Sequence, residues 1–198
     1  MNFLKQKYII VKEAIPKDLA EFLYNYFLIK KDAARYYYKN NIFKETVLLG
    51  TWGDTQVPNM YSNYADFAME TLLMKLLKTM RKKTKINLIP TYSYARVYEK
   101  GSILKKHKDR DSCEISTTLN LGGDIWPIFL KINKKIKKVN LTPGDMLIYK
   151  GCEVEHWRDE FVGKVCTQVF LHYVDKNGPF GKSSLFDGRT ILGIPKNI

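Results

Sequence analysis

The sequence lacks the features of a secreted or membrane-spanning protein. It has only 3 cysteines, without metal-ligand spacing, which predicts reduced thiols rather than a disulfide framework. No apolar run approaches the ~18 residues that a transmembrane helix needs. The N-terminal stretch lacks a long apolar segment and a small-residue cleavage site, so no signal peptide is predicted. We therefore expect a cytoplasmic protein, located in the host cytoplasm if the source is viral.

Acidic residues are few relative to basic ones. There are 20 Asp and Glu against 33 Lys and Arg, a formal net charge of +13. Such an excess can indicate a nucleic-acid partner. The basic clusters, however, follow a predicted helix or surround a predicted hairpin tip, where solvent covers lysine well: Lys78, Arg81, Lys82, Lys83, Lys85, Lys134, Lys135, Lys137 and Lys138. This distribution favours solvated lysines, so nucleic acid is a disfavoured partner, and no membrane partner is predicted.

The hydrophobic pattern changes its period near Pro90. Before it, apolar residues recur at helical spacing after Pro16 and again to about Lys83, which predicts two helices. Asn63 and Asp66 form a plausible N-terminal cap for the second helix, and Val47–Trp52 is a candidate strand. After Pro90 the pattern alternates with period 2, which is typical of β-strands.

Helices followed by short antiparallel strands predict an α+β protein with a β-sandwich or jelly roll. With 198 residues and 45% apolar composition, the chain suits one domain, 1–198. We expect helical support over about 1–89, a β core over about 90–176 and a surface tail over 177–198. The predicted strands are 91–98, 114–121, 126–133, 139–141, 145–149 and 165–174.

Only 3 histidines occur, and two of them fit a metal site. His107 and Asp109 form an H-x-D step, and residues two apart on a strand point to the same face. His156, from a distant strand, can complete the set. Two histidines and a carboxylate on one face, with open positions opposite, are typical of non-haem Fe(II) oxygenases. We assign His172, within an apolar run, a structural role.

The motifs around these residues resemble a known family. In order along the chain stand Arg96-Val97-Tyr98, Gly101, His107 with Asp109, Leu119-Asn120, Pro143-Gly144-Asp145, His156 and Lys164. This order resembles the 2-oxoglutarate- and Fe(II)-dependent oxygenases, specifically their prolyl-4-hydroxylase-like branch, over Pro90 to Asp175. The strings Glu155-His-Trp-Arg158 and Gln168-Val-Phe-Leu-His-Tyr173 look like a little-characterised microbial and phage subgroup.

The resemblance implies a double-stranded β-helix that uses Fe(II), 2-oxoglutarate and O₂, with ascorbate as a further candidate cofactor. His107, Asp109 and His156 match the iron ligands. Two basic residues compete for the far carboxylate of 2-oxoglutarate: Lys164 best matches the family's position, whereas the planar fork of Arg158 suits a carboxylate. Further co-substrate contacts are implied for Tyr98 and Thr118.

Candidate substrate contacts are Tyr94, Arg96, Arg110 and Trp126. Tyr94 and Arg96 share the predicted strand face of Tyr98, and Trp126 is equally a candidate for packing. The leading hypothesis is hydroxylation of a peptidyl side chain such as proline, with release of succinate and CO₂. The partner would then be a peptide, a protein or a small molecule. The alternatives are a nucleic-acid-directed oxygenase or demethylase and a non-enzymatic metal-binding β-barrel module.

Overall fold

The computed structural model of the protein describes residues 2–194, which form three α-helices and ten β-strands. The helices are α1 (Phe3–Gln6), α2 (Lys17–Lys39) and α3 (Phe67–Thr84). The strands are β1 (Tyr8–Val11), β2 (Tyr61–Tyr64), β3 (Leu88–Glu99), β4 (Leu104–His107), β5 (Ile115–Gly123), β6 (Ile128–Ile132), β7 (Lys135–Val139), β8 (Met146–Lys150), β9 (Glu155–Arg158) and β10 (Val165–Asp175).

The strands form two antiparallel sheets. The larger sheet has the order β1-β8-β5-β10-β3-β2, and the smaller one has the order β4-β9-β6-β7. Apolar residues of both sheets meet between them, among them Leu130 of β6 and Leu147 of β8. Two facing antiparallel sheets of this topology form a double-stranded β-helix. The α+β jelly-roll prediction is therefore confirmed.

Alternation along the strands separates a helix-facing side of the larger sheet from an inner side. On β5, Ile115, Leu119 and Leu121 belong to the core that the sheet forms with α2 and α3. Thr118, one residue out of phase, instead hydrogen-bonds Gln168 of β10. Because successive side chains point to opposite faces, the same strands that support the fold also supply polar groups to its interior.

The segment between α2 and α3 differs from the prediction. Val47–Trp52 forms no strand; it has only isolated bridges, such as the one between Thr51 and Ser62. Its backbone carbonyls instead accept hydrogen bonds from side chains of the surrounding structure. The Asn63 amide, for example, donates to the carbonyl of Val47. Asn63 itself lies in β2 and is not a helix cap. Asp66 is the N-cap of α3, where its carboxylate accepts hydrogen bonds from the first turn.

The segment after β10 is not simply a surface tail, which corrects the expectation. Arg189 and Glu70 of α3 are both buried and form an ion pair at 2.6 Å. Arg189 also donates to the carbonyl of Thr91 in β3 at 3.0 Å. Since a buried charge needs a charged or hydrogen-bonding partner, these contacts hold the segment against the sheet. Residues 195–198 of the predicted tail lie outside the described residues.

No helix within residues 2–194 is both long enough and apolar enough to cross a membrane.

Candidate metal centre

Two strands of the smaller sheet bring His107 and His156 together. His107 ends β4 and is the direct cross-strand partner of His156 in β9. Asp109 follows the strand rather than lying in it, unlike the expectation that one strand carries both residues. Its backbone N–H donates to the carbonyl of Gly151 at 3.0 Å, which returns its side chain toward the histidines.

The three side chains converge on one point. Oδ1 of Asp109 lies 3.6 Å from Nε2 of His107 and 3.4 Å from Nε2 of His156. One candidate ligand atom from each residue lies within 4.8 Å of the others. Neighbouring ligands of an octahedral metal with bonds of about 2.1 Å lie about 3 Å apart. A small contraction would therefore bring these atoms to metal-ligand distances.

Both imidazoles are oriented by backbone carbonyls. Nδ1 of His107 lies 2.8 Å from the oxygen of Lys105, and Nδ1 of His156 lies 2.9 Å from the oxygen of Val154. A carbonyl can only accept, so each Nδ1 carries a proton, and in the neutral imidazole Nε2 then keeps the lone pair that a metal needs. Such outer contacts fix the tautomer that a metal needs.

The ionisable side chains at the site shift each other's pKa values. Burial raises the pKa of the Asp109 carboxyl, but the interactions with His107, His156 and His172 together outweigh it and hold the pKa well below its usual value. For His107, burial lowers the pKa, but the contacts of the protonated ring with Asp109 and with the carbonyl of Lys105 together outweigh it and raise the pKa above the usual value. Asp109 is therefore an anion at neutral pH, suited to offset part of a cation's charge.

A cavity of about 300 Å³ opens over the cluster. Three of the predicted substrate contacts, Tyr94, Arg96 and Arg110, line it. Trp126 does not: its ring packs against Tyr98 inside the barrel, with centroids 4.8 Å apart. Its indole N–H donates to a backbone carbonyl, so packing accounts for this residue.

The loop 53–59 covers this cavity, and sequence reasoning missed its role. Asp54 forms an ion pair with the buried Arg96 and accepts a hydrogen bond from the Tyr94 hydroxyl. The Gln56 amide nitrogen lies 3.0 Å from Nε2 of His107. When His107 is neutral, that nitrogen is a lone-pair acceptor and Gln56 donates to it. The turn residues of the loop indicate only that it is a loop, not what it contacts.

Arg158 lies inside the barrel without an acidic partner. Its side chain is 1% exposed, and among residues 2–194 it forms no ion pair. Nη2 donates to the Thr118 hydroxyl at 3.2 Å, Nη1 donates to the carbonyl of Trp126, and Nε has no hydrogen-bond partner. Burial lowers the pKa of this guanidinium. The guanidinium also lies over the Trp126 ring, 5.1 Å from its centroid. A buried cation without a counter-ion is a favourable position for an anionic ligand.

Lys164 lies elsewhere. It precedes β10, is exposed, and borders a surface pocket with Lys31 and Glu99 that includes none of the three candidate metal ligands. Tyr98 and Thr118, the other predicted co-substrate contacts, are fully buried. Tyr98 accepts a hydrogen bond from Arg96 at 3.3 Å. The interior thus groups Arg158 with Thr118 and Tyr98, and it leaves Lys164 outside.

No protein-family model and no curated protein sequence matches the chain, but solved structures do. A prolyl-4-hydroxylase from Pseudomonas putida aligns with a TM-score of 0.63 and 14% identity, over 87% of this chain and 95% of that one. HygX from Streptomyces hygroscopicus, solved with nickel, 2-oxoglutarate and hygromycin B, aligns with a TM-score of 0.65 and 10% identity, over 88% and 85%.

A third similar structure is viral. The collagen prolyl hydroxylase vCPH from Paramecium Bursaria Chlorella virus-1, solved with 2-oxoglutarate, aligns with a TM-score of 0.58 and 10% identity, over 85% of this chain and 96% of that one. At such identities the likeness establishes the fold. The chain has the double-stranded β-helix fold of the 2-oxoglutarate- and Fe(II)-dependent oxygenases, prolyl-4-hydroxylases among them.

Proposed function

We propose that the protein is an Fe(II)- and 2-oxoglutarate-dependent dioxygenase that hydroxylates its substrate and releases succinate and CO₂. The observation that carries this proposal is the His107, Asp109 and His156 cluster on the floor of a cavity. The buried Arg158, which lacks an anionic partner among residues 2–194, supports it.

The donor set suits Fe(II). Two neutral imidazoles and one carboxylate, all on one side of the ion, form the 2-His-1-carboxylate arrangement that leaves coordination positions open. When bound, the iron would supply oxygen activation coupled to decarboxylation of 2-oxoglutarate. The protein's own groups then hold the metal, bind the co-substrate and exclude water around the reacting atoms.

Arg158 is the proposed anchor for the far carboxylate of 2-oxoglutarate, in preference to Lys164. His156 and Arg158 are two apart on β9 and therefore share a face, so the metal ligand and the anchor lie on the same side of the sheet. A guanidinium binds a carboxylate through a planar pair of donors. Thr118 already contacts Arg158, and Tyr98 lies in the same interior cluster as Cys166.

For the substrate we propose a peptidyl side chain such as proline. Two of the similar structures described above are prolyl hydroxylases, one of them a collagen enzyme. A small molecule is the second candidate, because the similar HygX structure contains hygromycin B. On either proposal Tyr94, Arg96 and Arg110, which line the cavity, are the groups that would meet the substrate.

Co-substrate binding tests the proposal. We expect anaerobic calorimetry to show 2-oxoglutarate binding to the wild-type protein only when Fe(II) is present. His107→Ala removes a metal ligand and should abolish this metal-dependent binding. Binding that is equally strong without Fe(II), or that survives in His107→Ala, would contradict the assignment of the metal site.

A further inference from the structure

A hydrogen-bonded chain extends from the candidate metal centre into the larger sheet. The Ser116 hydroxyl lies 2.6 Å from Oδ2 of Asp109, the carboxylate oxygen that faces away from the histidines. Nδ1 of His172 lies 3.0 Å from the same hydroxyl. Ser116 and His172 are direct cross-strand partners on β5 and β10, so the sheet register itself brings them together.

The directions of these hydrogen bonds follow from the number of protons. A serine hydroxyl has one proton to donate and two lone pairs that accept. The contact of 2.6 Å with the ionised Asp109 is shorter than the 3.0 Å contact with the carbonyl of Cys113, so the proton goes to Asp109. His172 must then donate from Nδ1 to Ser116. Its Nε2 remains an acceptor, without a hydrogen-bond partner within residues 2–194.

The packing around Asp109 preserves this series of hydrogen bonds. Ser116 is fully buried, and His172 is 6% exposed. A Cβ added at Gly151 would lie 2.2 Å from the carbonyl oxygen of Cys113, 2.4 Å from Oδ2 of Asp109 and 2.6 Å from Oγ of Ser116. The close approach of the Cys113 backbone and of these two oxygens explains the glycine at position 151.

We propose that Ser116 and His172 are positioning residues that hold Asp109 in a one-oxygen binding mode, with Oδ2 engaged by Ser116 and Oδ1 directed to the metal. The proposal rests on the proposed function, because it presumes the metal. An octahedral ion has six positions, of which the triad takes three. A bidentate co-substrate and O₂ need the other three. A carboxylate that bound through both oxygens would occupy one of these positions.

The test is Mn(II) affinity, measured by calorimetry on the full chain without co-substrate. Ser116→Ala should weaken Mn(II) binding about 10- to 100-fold, the usual effect of removing an outer-shell partner. Ser93→Ala is the matched control, since Ser93 is also a fully buried serine of this sheet but its hydroxyl has no hydrogen-bond partner among residues 2–194. We expect Ser93→Ala to bind Mn(II) within about two-fold of wild type, because its hydroxyl contacts no ligand.

Conservative variants separate positioning from general packing. Ser116→Thr keeps the hydroxyl and should restore most of the affinity. His172→Asn keeps a donor at the position of Nδ1, whereas His172→Phe removes it, so only the phenylalanine variant should bind Mn(II) markedly more weakly. Thermal unfolding of each metal-free variant reports whether it is folded. The visible spectrum of the Co(II)-loaded protein should change with the carboxylate mode in Ser116→Ala but not in Ser93→Ala.

The outcomes are distinguishable. If wild-type protein does not bind Mn(II), the proposed function itself fails. If wild type binds Mn(II) and Ser116→Ala binds it equally well, the positioning role is wrong while the metal site stands. If Ser116→Ala does not fold, the comparison of His172→Asn with His172→Phe decides, and equal affinities of these two variants would overturn the proposal.

Discussion

Arg158 shows how burial, rather than residue type, distinguishes two basic candidates. In the sequence, Lys164 and Arg158 are both reasonable anchors for a carboxylate, since both follow His156. In the structure, Lys164 precedes β10 and is exposed, whereas Arg158 is 1% exposed with an unpartnered Nε. Pairing with a carboxylate stabilises a solvated lysine only slightly, but it strongly stabilises a buried guanidinium that has no counter-ion.

Arg158→Gln should therefore weaken 2-oxoglutarate binding far more than Lys164→Gln. Loss of one partner of a buried charge pair costs about 2–5 kcal/mol, which is at least about 30-fold in Kd. The measurement is calorimetric titration of 2-oxoglutarate into each Mn(II)-loaded variant. Lys164→Gln serves as the matched control and should bind like wild type. If Lys164→Gln lost affinity for 2-oxoglutarate and Arg158→Gln bound it like wild type, Lys164 would be the anchor.

The candidate metal ligands could be predicted from residue spacing, but their positions could not. His107 and His156 converge because they are cross-strand partners, a consequence of pairing between distant strands. Asp109 was expected on the same strand as His107, yet it reaches the site through a turn that its backbone bond to Gly151 stabilises. The role of Ser116 was missed because its register with His172 depends on the whole sheet.

At the scale of elements, the loop 53–59 is what sequence reasoning could least foresee. Its composition indicates a turn, but its place over the cavity depends on the ion pair of Asp54 with Arg96, more than forty residues away. Local patterns do not contain such contacts. The alternation of β3, by contrast, is a local pattern, and it correctly predicted the two faces of that strand.

Gln56→Ala should leave the fold intact and tighten Mn(II) binding by up to about five-fold. The Gln56 amide donates to Nε2 of His107, the lone pair that a metal would use, and a net hydrogen bond contributes about 1 kcal/mol. Calorimetry with Mn(II) measures the change. Thr55→Ala, an exposed position of the same loop, is the control. A ten-fold weaker affinity in Gln56→Ala would instead indicate that Gln56 helps to hold the metal.

The C-terminal segment is attached through a second charged contact. Asp187 accepts two hydrogen bonds from Arg110, at 2.9 and 2.8 Å, and one from the Tyr64 hydroxyl at 2.8 Å. Burial raises the pKa of Asp187, but the bonds from Arg110 and Tyr64 outweigh it and lower the pKa to about 2. Its charge therefore stabilises the folded protein above its unfolded pKa of about 4, and that stabilisation is lost as pH falls toward 2.

Asp187→Asn should lower the free energy of unfolding by about 2 kcal/mol at pH 7, the usual contribution of hydrogen bonds to a charged group. The difference in unfolding free energy between variant and wild type should be smaller at pH 3. There, protonation of Asp187 in the unfolded state already removes part of the stabilisation that its charge gives the wild type. Urea denaturation of both proteins at the two pH values measures it. A difference of the same size at pH 7 and pH 3 would show that the charge of Asp187 contributes nothing.

At the scale of the whole molecule, the net charge of +13 does not converge on the candidate site. Lys131 of β6 pairs with Glu155. The four lysines of the hairpin turn and β7 are exposed, and within the described part of the chain none of them forms an ion pair: Lys134, Lys135, Lys137 and Lys138. The cavity itself combines cations with the carboxylates of Asp54 and Asp109. This distribution is more typical of solvated surface lysines than of a continuous basic surface that binds a nucleic-acid backbone.

Binding to single-stranded DNA should accordingly be weak and purely electrostatic. We expect a Kd in the micromolar range or weaker at 50 mM salt, with most of the affinity lost by 200 mM, as for non-specific contacts to phosphates. Fluorescence anisotropy with a labelled oligonucleotide measures both values. Tight binding that persists at 200 mM salt, together with DNA-stimulated 2-oxoglutarate turnover, would favour a nucleic-acid-directed oxygenase instead.

The fold as a whole could be predicted because its signals are repetitive. Period-2 alternation after Pro90 and helical spacing before it each recur over many residues, so single errors, such as the strand expected at Val47–Trp52, do not change the fold class. Single long-range contacts have no such redundancy. For this reason the sequence indicated the fold and the candidate triad, while the burial of Arg158, the loop over the cavity and the buried C-terminal segment required the structure.

Release of succinate would show that the protein is a 2-oxoglutarate-dependent oxygenase. Wild-type protein incubated in air with Fe(II) and 2-oxoglutarate should release succinate, faster when the true substrate is added and not at all after chelation of the metal. His107→Ala and Asp109→Ala should release none, since each lacks a metal ligand. If wild-type protein releases no succinate with any candidate substrate, or if His107→Ala turns over at the wild-type rate, the protein is not a 2-oxoglutarate-dependent oxygenase of this site.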